Sequence, residues 1–300
     1  MSLAVLLVAL VAGLALQRFG PGARARDVVW GVFFYAVSPA LVLVTFLELH
    51  VDRALVLSLA AAVLATWLVA ATGLVYARLV ARERDEQGAL TLCAGWANTG
   101  FVGYPLAQLA FGPAGLSLAV LYDRLSWLVP ASSISVTIAR LFGRRETAPS
   151  SARRRQRALL LNPPLLALLA AVVLRSRGVD LPHAGAVRAV SAALVGPFGF
   201  LLLGLSLSFE PVVHAADELR RAAGALAIRF AGGPLALLGT GVLLGAHVPH
   251  VFFLLAAMPP AFNVLVLARV YDVRPALTRL LVVGATLPAV AVVALVSAVR

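Results

Sequence analysis

Two apolar stretches of the sequence are interrupted by helix-breaking and polar residues, and these interruptions have the chemistry of an anion site. The first lies at 96–105 and the second at 257–263. A broken helix presents free N–H groups at its positive dipole end and free carbonyls at its negative end. Inside a membrane such groups survive only where they line a cavity or pack on protein. Two half-helix N-termini that met at one point would favour an anionic group such as a carboxylate.

Glycines, prolines and amides mark both interruptions. The glycines predict backbone that leaves helical geometry and approaches a ligand closely. The prolines predict the first turn of a second half-helix, where a missing N–H costs nothing. A buried asparagine can either cap a broken helix end or hold a carboxylate, and both roles stay open at this point. The candidate substrate-binding residues are Asn98, Thr99, Gly100, Gly103, Pro105, Pro259, Pro260 and Asn263.

Ionisable residues inside the apolar stretches are the next candidates, since an intramembrane charge is costly unless it is paired or hydrated. Asp123 and Arg124 are adjacent, so they could form a neutral pair. Alternatively, Asp123 faces a cavity and carries or senses a coupling proton. Arg229 could be a substrate counter-ion, or its long side chain could reach the cytoplasmic surface.

The sequence lacks the common catalytic and metal-binding motifs. It contains no Gly-x-Ser-x-Gly, His-Glu-x-x-His or Walker A motif, so we expect no enzyme and no ATP-driven mechanism. His247 and His250 have no carboxylate or cysteine partner nearby in the sequence, and Cys93 is the single cysteine. We therefore expect neither a metal nor a cofactor.

Composition predicts a membrane protein. The chain is 61% hydrophobic with a mean hydropathy of +0.96, and most apolar runs lack the one-sided periodicity of a soluble helix. The net charge of +12 lies in short connections between these runs. This arrangement indicates loops facing an anionic lipid surface rather than a nucleic-acid partner. The sequence thus predicts an all-α membrane protein in contact with lipids and without nucleic acid.

Ten apolar stretches are long enough to span a bilayer, taking about 20 residues per helix as the criterion. They are 2–19, 28–47, 54–77, 88–111, 114–139, 158–174, 186–208, 221–245, 250–269 and 276–299. No basic residue precedes the first stretch, so we interpret it as a retained helix rather than a signal peptide.

The arginines predict the orientation. Eighteen of the 25 basic residues lie in the odd-numbered connections, and five lie in the even-numbered connections and at the C-terminus. By the positive-inside rule, both termini lie outside and the 140–157 connection lies in the cytoplasm. All basic residues are arginine, which together with abundant Ala, Val and Leu is typical of a GC-rich bacterial genome. We therefore expect a multi-pass protein of a bacterial inner (plasma) membrane.

The long arginine-rich connection divides the chain into two halves of five predicted helices each. We predict a first repeat over 1–142, a flexible linker over 143–157 and a second repeat over 158–300. Because five is odd, two homologous halves must insert with opposite orientations, which makes an inverted repeat. Helices four and nine, the broken ones, would then cross, as they do in secondary transporters that bind substrate at such breaks.

Both interruptions resemble motifs of a known family. The run from Asn98 to Leu106 is similar to the fourth-helix signature of the auxin efflux carrier (AEC) family, and Met258-Pro259-Pro260-Ala261 is similar to its ninth-helix pattern. Further similar positions are Leu267-Ala268, Tyr271, Asn162-Pro163-Pro164 and Gly204 to Leu207. Relative to the family pattern, the second motif has paired prolines and Asn263 lies slightly further along the chain.

The resemblance implies ten helices in two inverted five-helix repeats, a scaffold domain beside a transport domain, and an elevator-like cycle around crossed helices four and nine. It also implies organic anion substrates: auxin in plant members, and dicarboxylates such as malonate or malate in bacterial relatives. The central loop is short, as in bacterial members, so we expect a permease for small carboxylates rather than for auxin. A homodimer is a further expectation.

Two other functions are compatible with the same residues. A sodium-coupled organic anion symporter of related ten-helix fold would share the crossing, and sodium dependence of uptake separates the two. A non-transporting membrane sensor or subunit would use the 143–157 connection to bind a soluble partner. An intramembrane enzyme is the least expected function, because no pair of catalytic groups shares a depth in the predicted helices.

Overall fold

The computed structural model describes residues 2–20, 22–48, 52–145, 162–179, 181–207 and 216–298, without the side chains of 126–133 and 292–298. These parts of the chain are helical, and the β-pairing within them is an isolated bridge between Ala97 and Pro260. The predicted linker lies outside the described residues beyond Arg145.

The helices agree with the prediction of an all-helical protein rich in apolar helices. In chain order they are α1 (Leu3–Phe19), α2 (Gly22–Glu48), α3 (Arg53–Val80), α4 (Arg84–Gly95), α5 (99–111), α6 (113–142), α7 (Pro163–Ser176), α8 (Ala184–Ser206), α9 (Ala216–Leu243), α10 (His250–Ala256), α11 (Phe262–Tyr271) and α12 (Pro275–Ala298). Gly112, with φ 69°, turns the chain between α5 and α6. By length and hydropathy, five of the described helical stretches can cross a membrane: α2, α3, Thr99–Leu125, α8 and α9.

Prolines explain the irregular turns within these helices. The described residues contain four π-turns, at Phe33–Val37, Thr99–Gly103, Asp123–Leu128 and Ile228–Gly232. In each case a proline follows two residues after the turn ends: Pro39, Pro105, Pro130 and Pro234. A proline has no N–H to donate and its ring clashes with the carbonyl four residues earlier. The wider π-turn takes up this defect without ending the helix.

The helices pack as two groups. In the first group, α1 packs along α8 and α2 packs along α7; in the second, α3 packs on α4 and α9. Glycines bring α1 and α8 close together, because a Cβ on Gly204 would lie only 2.3 Å from the Leu10 carbonyl oxygen. We define the first group as α1, α2, α7 and α8, and the second group as α3–α6 with α9–α12. The groups meet where α8 packs on the first turn of α5.

Ion pairs join the helices of the second group at one end. The buried Glu86 accepts a hydrogen bond from Nε of Arg221 at 2.6 Å, and the buried Asp85 pairs with Nε of Arg144 at 3.1 Å. These pairs tie the start of α4 to the start of α9 and to the chain just after α6. We call this the charged end, formed by Glu83, Asp85, Glu86, Arg144, Arg221 and Arg274.

Other contacts define the opposite end. Arg188 of α8 pairs with Glu48 of α2 at 3.0 Å, and Arg175 of α7 donates to the Phe46 carbonyl at 3.2 Å. Ser58, near the start of α3, donates to the carbonyl of His247 at 3.0 Å. Described residues at or just beyond the ends of α3, α6 and α11 and at the start of α9 therefore meet at the charged end, and those at or just beyond the ends of α2, α7 and α9 lie at the other end.

Candidate functional site at the crossing of two broken helices

Both predicted interruptions are breaks in helical structure. The chain leaves α4 after Gly95 and resumes as α5 at Thr99. It leaves α10 after Ala256 and resumes as α11 at Phe262. Each break therefore creates a half-helix C-terminus followed closely by a half-helix N-terminus.

The two breaks pair with each other. The N–H of Asn98 donates to the Pro259 carbonyl at 2.7 Å, and the N–H of Ala261 donates to the Trp96 carbonyl at 2.9 Å. Trp96 and Asn98 are buried. In an apolar interior an unpaired backbone group costs several kcal/mol, so each break supplies the partners that the other lacks.

Pro105 stands where the sequence predicts a proline, whereas Pro259 and Pro260 do not. Pro105 lies in the first turn of the regular α-helical part of α5, which begins at Tyr104 after the π-turn over Thr99–Gly103. Pro259 and Pro260 lie inside the break, and α11 begins only at Phe262. The physical reason is the paired bridge: it uses the carbonyl of Pro259 and no N–H from either proline.

The glycines also act differently from the prediction. Gly100 and Gly103 do not leave helical geometry; both lie in the π-turn, and Gly103 has φ −65° and ψ −45°. A Cβ on Gly103 would lie 2.7 Å from Cδ2 of Leu255, so this glycine allows α10 to approach α5. A Cβ on Gly100 would meet nothing within 4 Å. Gly100 thus borders open space, whereas Gly103 is a packing position.

A single buried arginine contacts the C-termini of both half-helices. Arg229, on the π-turn of α9, donates to the carbonyls of Ala94 at 3.3 Å, Gly95 at 3.1 Å and Ala256 at 2.6 Å. These carbonyls belong to the last residues of α4 and α10, which have no partner within their own helices. A cation there also compensates the negative ends of two helix dipoles. Arg229 is 4% exposed, so it does not reach the membrane surface.

A buried network fixes the N-terminus of α5 to α6. The carboxylate of Asp123 accepts hydrogen bonds from the hydroxyl of Thr99 and, at 2.7 Å, from that of Tyr104. It also pairs with Nη2 of Arg124 at 2.8 Å, and Arg124 donates to Tyr104. The neutral pair that the sequence offered as one alternative is therefore present, and all four side chains are buried.

Two amides at the crossing keep unused hydrogen-bonding atoms. Oδ1 of Asn98 accepts from the N–H of Phe101 at 3.2 Å, which caps α5. Nδ2 of Asn98 is buried and has no hydrogen-bond partner among the described residues. The same holds for Oδ1 of Asn263, in the first turn of α11. Buried polar atoms are rarely left unpaired, so these two are candidates for ligand contact.

Aromatic side chains form a wall beside these amides. The ring of Phe101 lies 5.3 Å from that of Trp30, 5.1 Å from that of Phe33 and 6.3 Å from that of Phe262. Trp30 and Phe33 belong to α2, so the wall joins the first group to the starts of α5 and α11. Gly199 brings α8 to the same place, because a Cβ there would lie 2.8 Å from the Phe101 carbonyl oxygen.

The structure thus shows which predicted site residues lie close to the paired breaks. Asn98, Thr99, Pro259 and Pro260 lie in or beside the paired breaks, and Asn263 follows in the first turn of α11. Sequence reasoning gave no role to Tyr104 and did not foresee that Arg229 binds both half-helices. The signal available in the sequence was the proline two residues beyond each π-turn, because Tyr104 and Arg229 lie in or directly after such turns.

The two glycines of α5 give a first prediction. Gly103→Ala should lower the thermal unfolding midpoint in detergent, because the new Cβ must displace the fully buried Leu255, and overpacking costs roughly 1–3 kcal/mol. Gly100→Ala is the matched control and should leave the midpoint unchanged, because its Cβ enters open space. Equal midpoints for the two variants would contradict this assignment of the packing position.

Comparison with known proteins identifies the family of this chain. Residues 1–296 match the sequence profile of a family described as membrane transport protein. The chain is also 25% identical, over 195 residues, to an "uncharacterized transporter" of Methanothermobacter thermautotrophicus, in a match covering 64% of this chain and 61% of that relative. The chain therefore belongs to the membrane transport protein family, which is the auxin efflux carrier family that its broken-helix motifs resemble.

Proposed function

We propose that this transporter-family chain is a secondary active carrier for small organic anions, with carboxylates, including dicarboxylates, as substrates. The observation that carries the proposal is the convergence of two half-helix N-termini, α5 and α11, at one paired crossing. N-terminal N–H groups and the positive dipole ends attract an anion. Beside them, the buried Nδ2 of Asn98 can donate to a carboxylate oxygen.

The charges around the crossing favour the same ligand. Arg124 is balanced by Asp123, but no carboxylate of the described residues lies within ion-pair distance of Arg229. The described side chains at the crossing therefore carry a net positive charge. In a low-dielectric interior such a charge raises the local concentration of anions.

Antiparallel contacts support an inverted repeat of ten spans. Arg82, which follows α3, pairs with Asp217 at the start of α9, the counterpart of α3 in the second half. The last residue of α2, Glu48, pairs with Arg188 in the first turns of its counterpart α8. The two breaks are also bridged in antiparallel fashion. In the proposal, each helix of the first half thus runs opposite to its counterpart, as opposite insertion of two halves requires.

The two helix groups support an elevator-type cycle. The second group holds both pairs of half-helices, and the ion pairs of the charged end join α4, α6 and α9 into one unit. We propose that this group moves past the first group and carries the crossing with it. The arginine-rich charged end faces the cytoplasm of a plasma membrane and both termini lie outside.

Variants of Asn98 test the proposal directly. Asn98→Ser keeps an oxygen that can cap α5 but removes the Nδ2 donor, so KM for carboxylate counterflow in proteoliposomes should rise about tenfold, the loss of one hydrogen bond to a charged group. Asn98→Ala should show the same rise together with a lower unfolding midpoint, because the cap is lost as well.

Asn162 provides the control for these variants. It caps α7 as Asn98 caps α5, with Oδ1 accepting from the N–H of Leu165 at 2.9 Å, and it is also buried. Asn162→Ala should lower the unfolding midpoint and leave KM unchanged. A wild-type KM in Asn98→Ser would show that Asn98 does not contribute to substrate binding.

Arg229 bears on the sodium-coupled alternative. In broken-helix symporters, unwound carbonyls and half-helix C-termini coordinate the sodium ion. Here the guanidinium of Arg229 already donates to carbonyls of this kind on both half-helices. The arrangement favours a carrier that does not use sodium at the crossing.

Carboxylate uptake should accordingly be independent of sodium. Replacing sodium by choline on both sides of the proteoliposome membrane should change the initial rate by less than a factor of two, since Arg229 supplies the positive charge. The organic cation controls for ionic strength. Uptake that requires an inward sodium gradient would support the symporter instead.

Proton coupling at Asp123 is part of the proposal and has its own test. The Asp123 carboxylate accepts from Thr99 and Tyr104 and pairs with Arg124 in the network that holds the start of α5, so a proton transferred to it would release donors at the crossing. Asp123→Asn should abolish the pH dependence of uptake. Thr99→Val removes one donor but keeps the carboxyl group, so its uptake should stay pH-dependent. An unchanged pH profile in Asp123→Asn would assign the network a purely structural role.

A further inference from the structure

A cavity of about 620 Å³ lies between the two helix groups, away from the crossing. Its walls are apolar and come from both groups: α2 and α7 on one side, α3 and α6 on the other. The lining residues are Phe46, Val56, Leu59, Leu121, Leu125, Val172, Arg175 and Ser176. The anion site proposed above shares none of these residues.

The cavity reaches from the helix ends into the apolar interior. Arg175 and Ser176 are the last residues of α7, and Phe46 lies close to the end of α2. Leu121 and Leu125 lie within α6, away from its first turn. The lining is therefore polar where α7 ends, at Arg175 and Ser176, and apolar elsewhere.

Arg175 is the cationic group of this cavity. Its Nη1 donates to the carbonyl of Phe46 at 3.2 Å, which holds the guanidinium beside the opening. A guanidinium at the membrane surface above an apolar cavity suits a ligand with a phosphate and a hydrocarbon chain.

We propose that this cavity binds an anionic phospholipid, with one acyl chain between the two helix groups and the phosphate at Arg175. Each buried methylene contributes about 0.8 kcal/mol, so the chain supplies most of the affinity and the arginine supplies the preference for an anionic headgroup. Because the walls belong to both groups, the bound lipid joins them. The site is independent of the carboxylate site and is tested by binding alone.

The experiment measures lipid retention by native mass spectrometry on delipidated protein in detergent. Phosphatidylglycerol and phosphatidylcholine with identical chains are the probes. Wild-type protein should retain phosphatidylglycerol at least tenfold better than phosphatidylcholine, and Arg175→Gln should lose this preference. Arg177→Gln, two residues further along the same segment and outside the cavity lining, should keep it.

A second pair of variants tests the chain-binding part of the cavity. Val172 and Val173 are both 55% exposed, but only Val172 lines the cavity. Val172→Trp should therefore reduce retention of phosphatidylglycerol, and Val173→Trp should not. Wild-type retention in both Arg175→Gln and Val172→Trp would overturn the proposal. Displacement of the lipid by glycerol phosphate, which has no chain, would show a free-anion site and would overturn it equally.

Discussion

Backbone groups that are buried in an apolar interior need partners within the protein, and this requirement shapes the centre of the structure. Two helices break at the same level, and neither break could exist alone without unpaired N–H and carbonyl groups. The antiparallel bridge between Ala97 and Pro260 supplies partners in the middle of both breaks. Arg229 supplies them at the two C-termini, and Asn98 caps one N-terminus. Among the described residues, four buried atoms at the crossing keep no hydrogen-bond partner: Nδ2 of Asn98, Oδ1 of Asn263, Nε1 of Trp96 and Nε of Arg229. The two amide atoms belong to residues at the positive ends of α5 and α11.

The π-turns that precede prolines place several side chains around the crossing. Each π-turn precedes a proline, and the side chains that the turns present include Phe33, Thr99, Asp123 and Arg229. All four contact the crossing or the first turn of α5: through Phe101, through the Asp123 network, or through the half-helix carbonyls. A π-turn rotates the following side chains relative to a regular helix, so the same helix can face lipid on one side of the turn and protein on the other.

The sequence was sufficient for predicting the helical class, the apolar helices and the location of both breaks. These follow from local chemistry: the length of the apolar runs and the positions of helix-breaking residues. The sequence was insufficient for predicting what the residues in and around the breaks do. The second half-helix starts at Phe262, beyond Pro259 and Pro260, because the bridge between distant segments fixes where the helix can resume. The position of Arg229 depends in the same way on a contact across more than 130 residues, which no local pattern contains.

The most direct test of the central claim is to locate a transported carboxylate in the protein. Crystals grown with a bromine-substituted carboxylate substrate would show the bromine by anomalous diffraction, and the difference density would show the carboxylate group. The account predicts the carboxylate at the first turns of α5 and α11, within hydrogen-bonding distance of Nδ2 of Asn98. A carboxylate bound elsewhere, with the crossing unchanged and Nδ2 of Asn98 still unpaired, would contradict it.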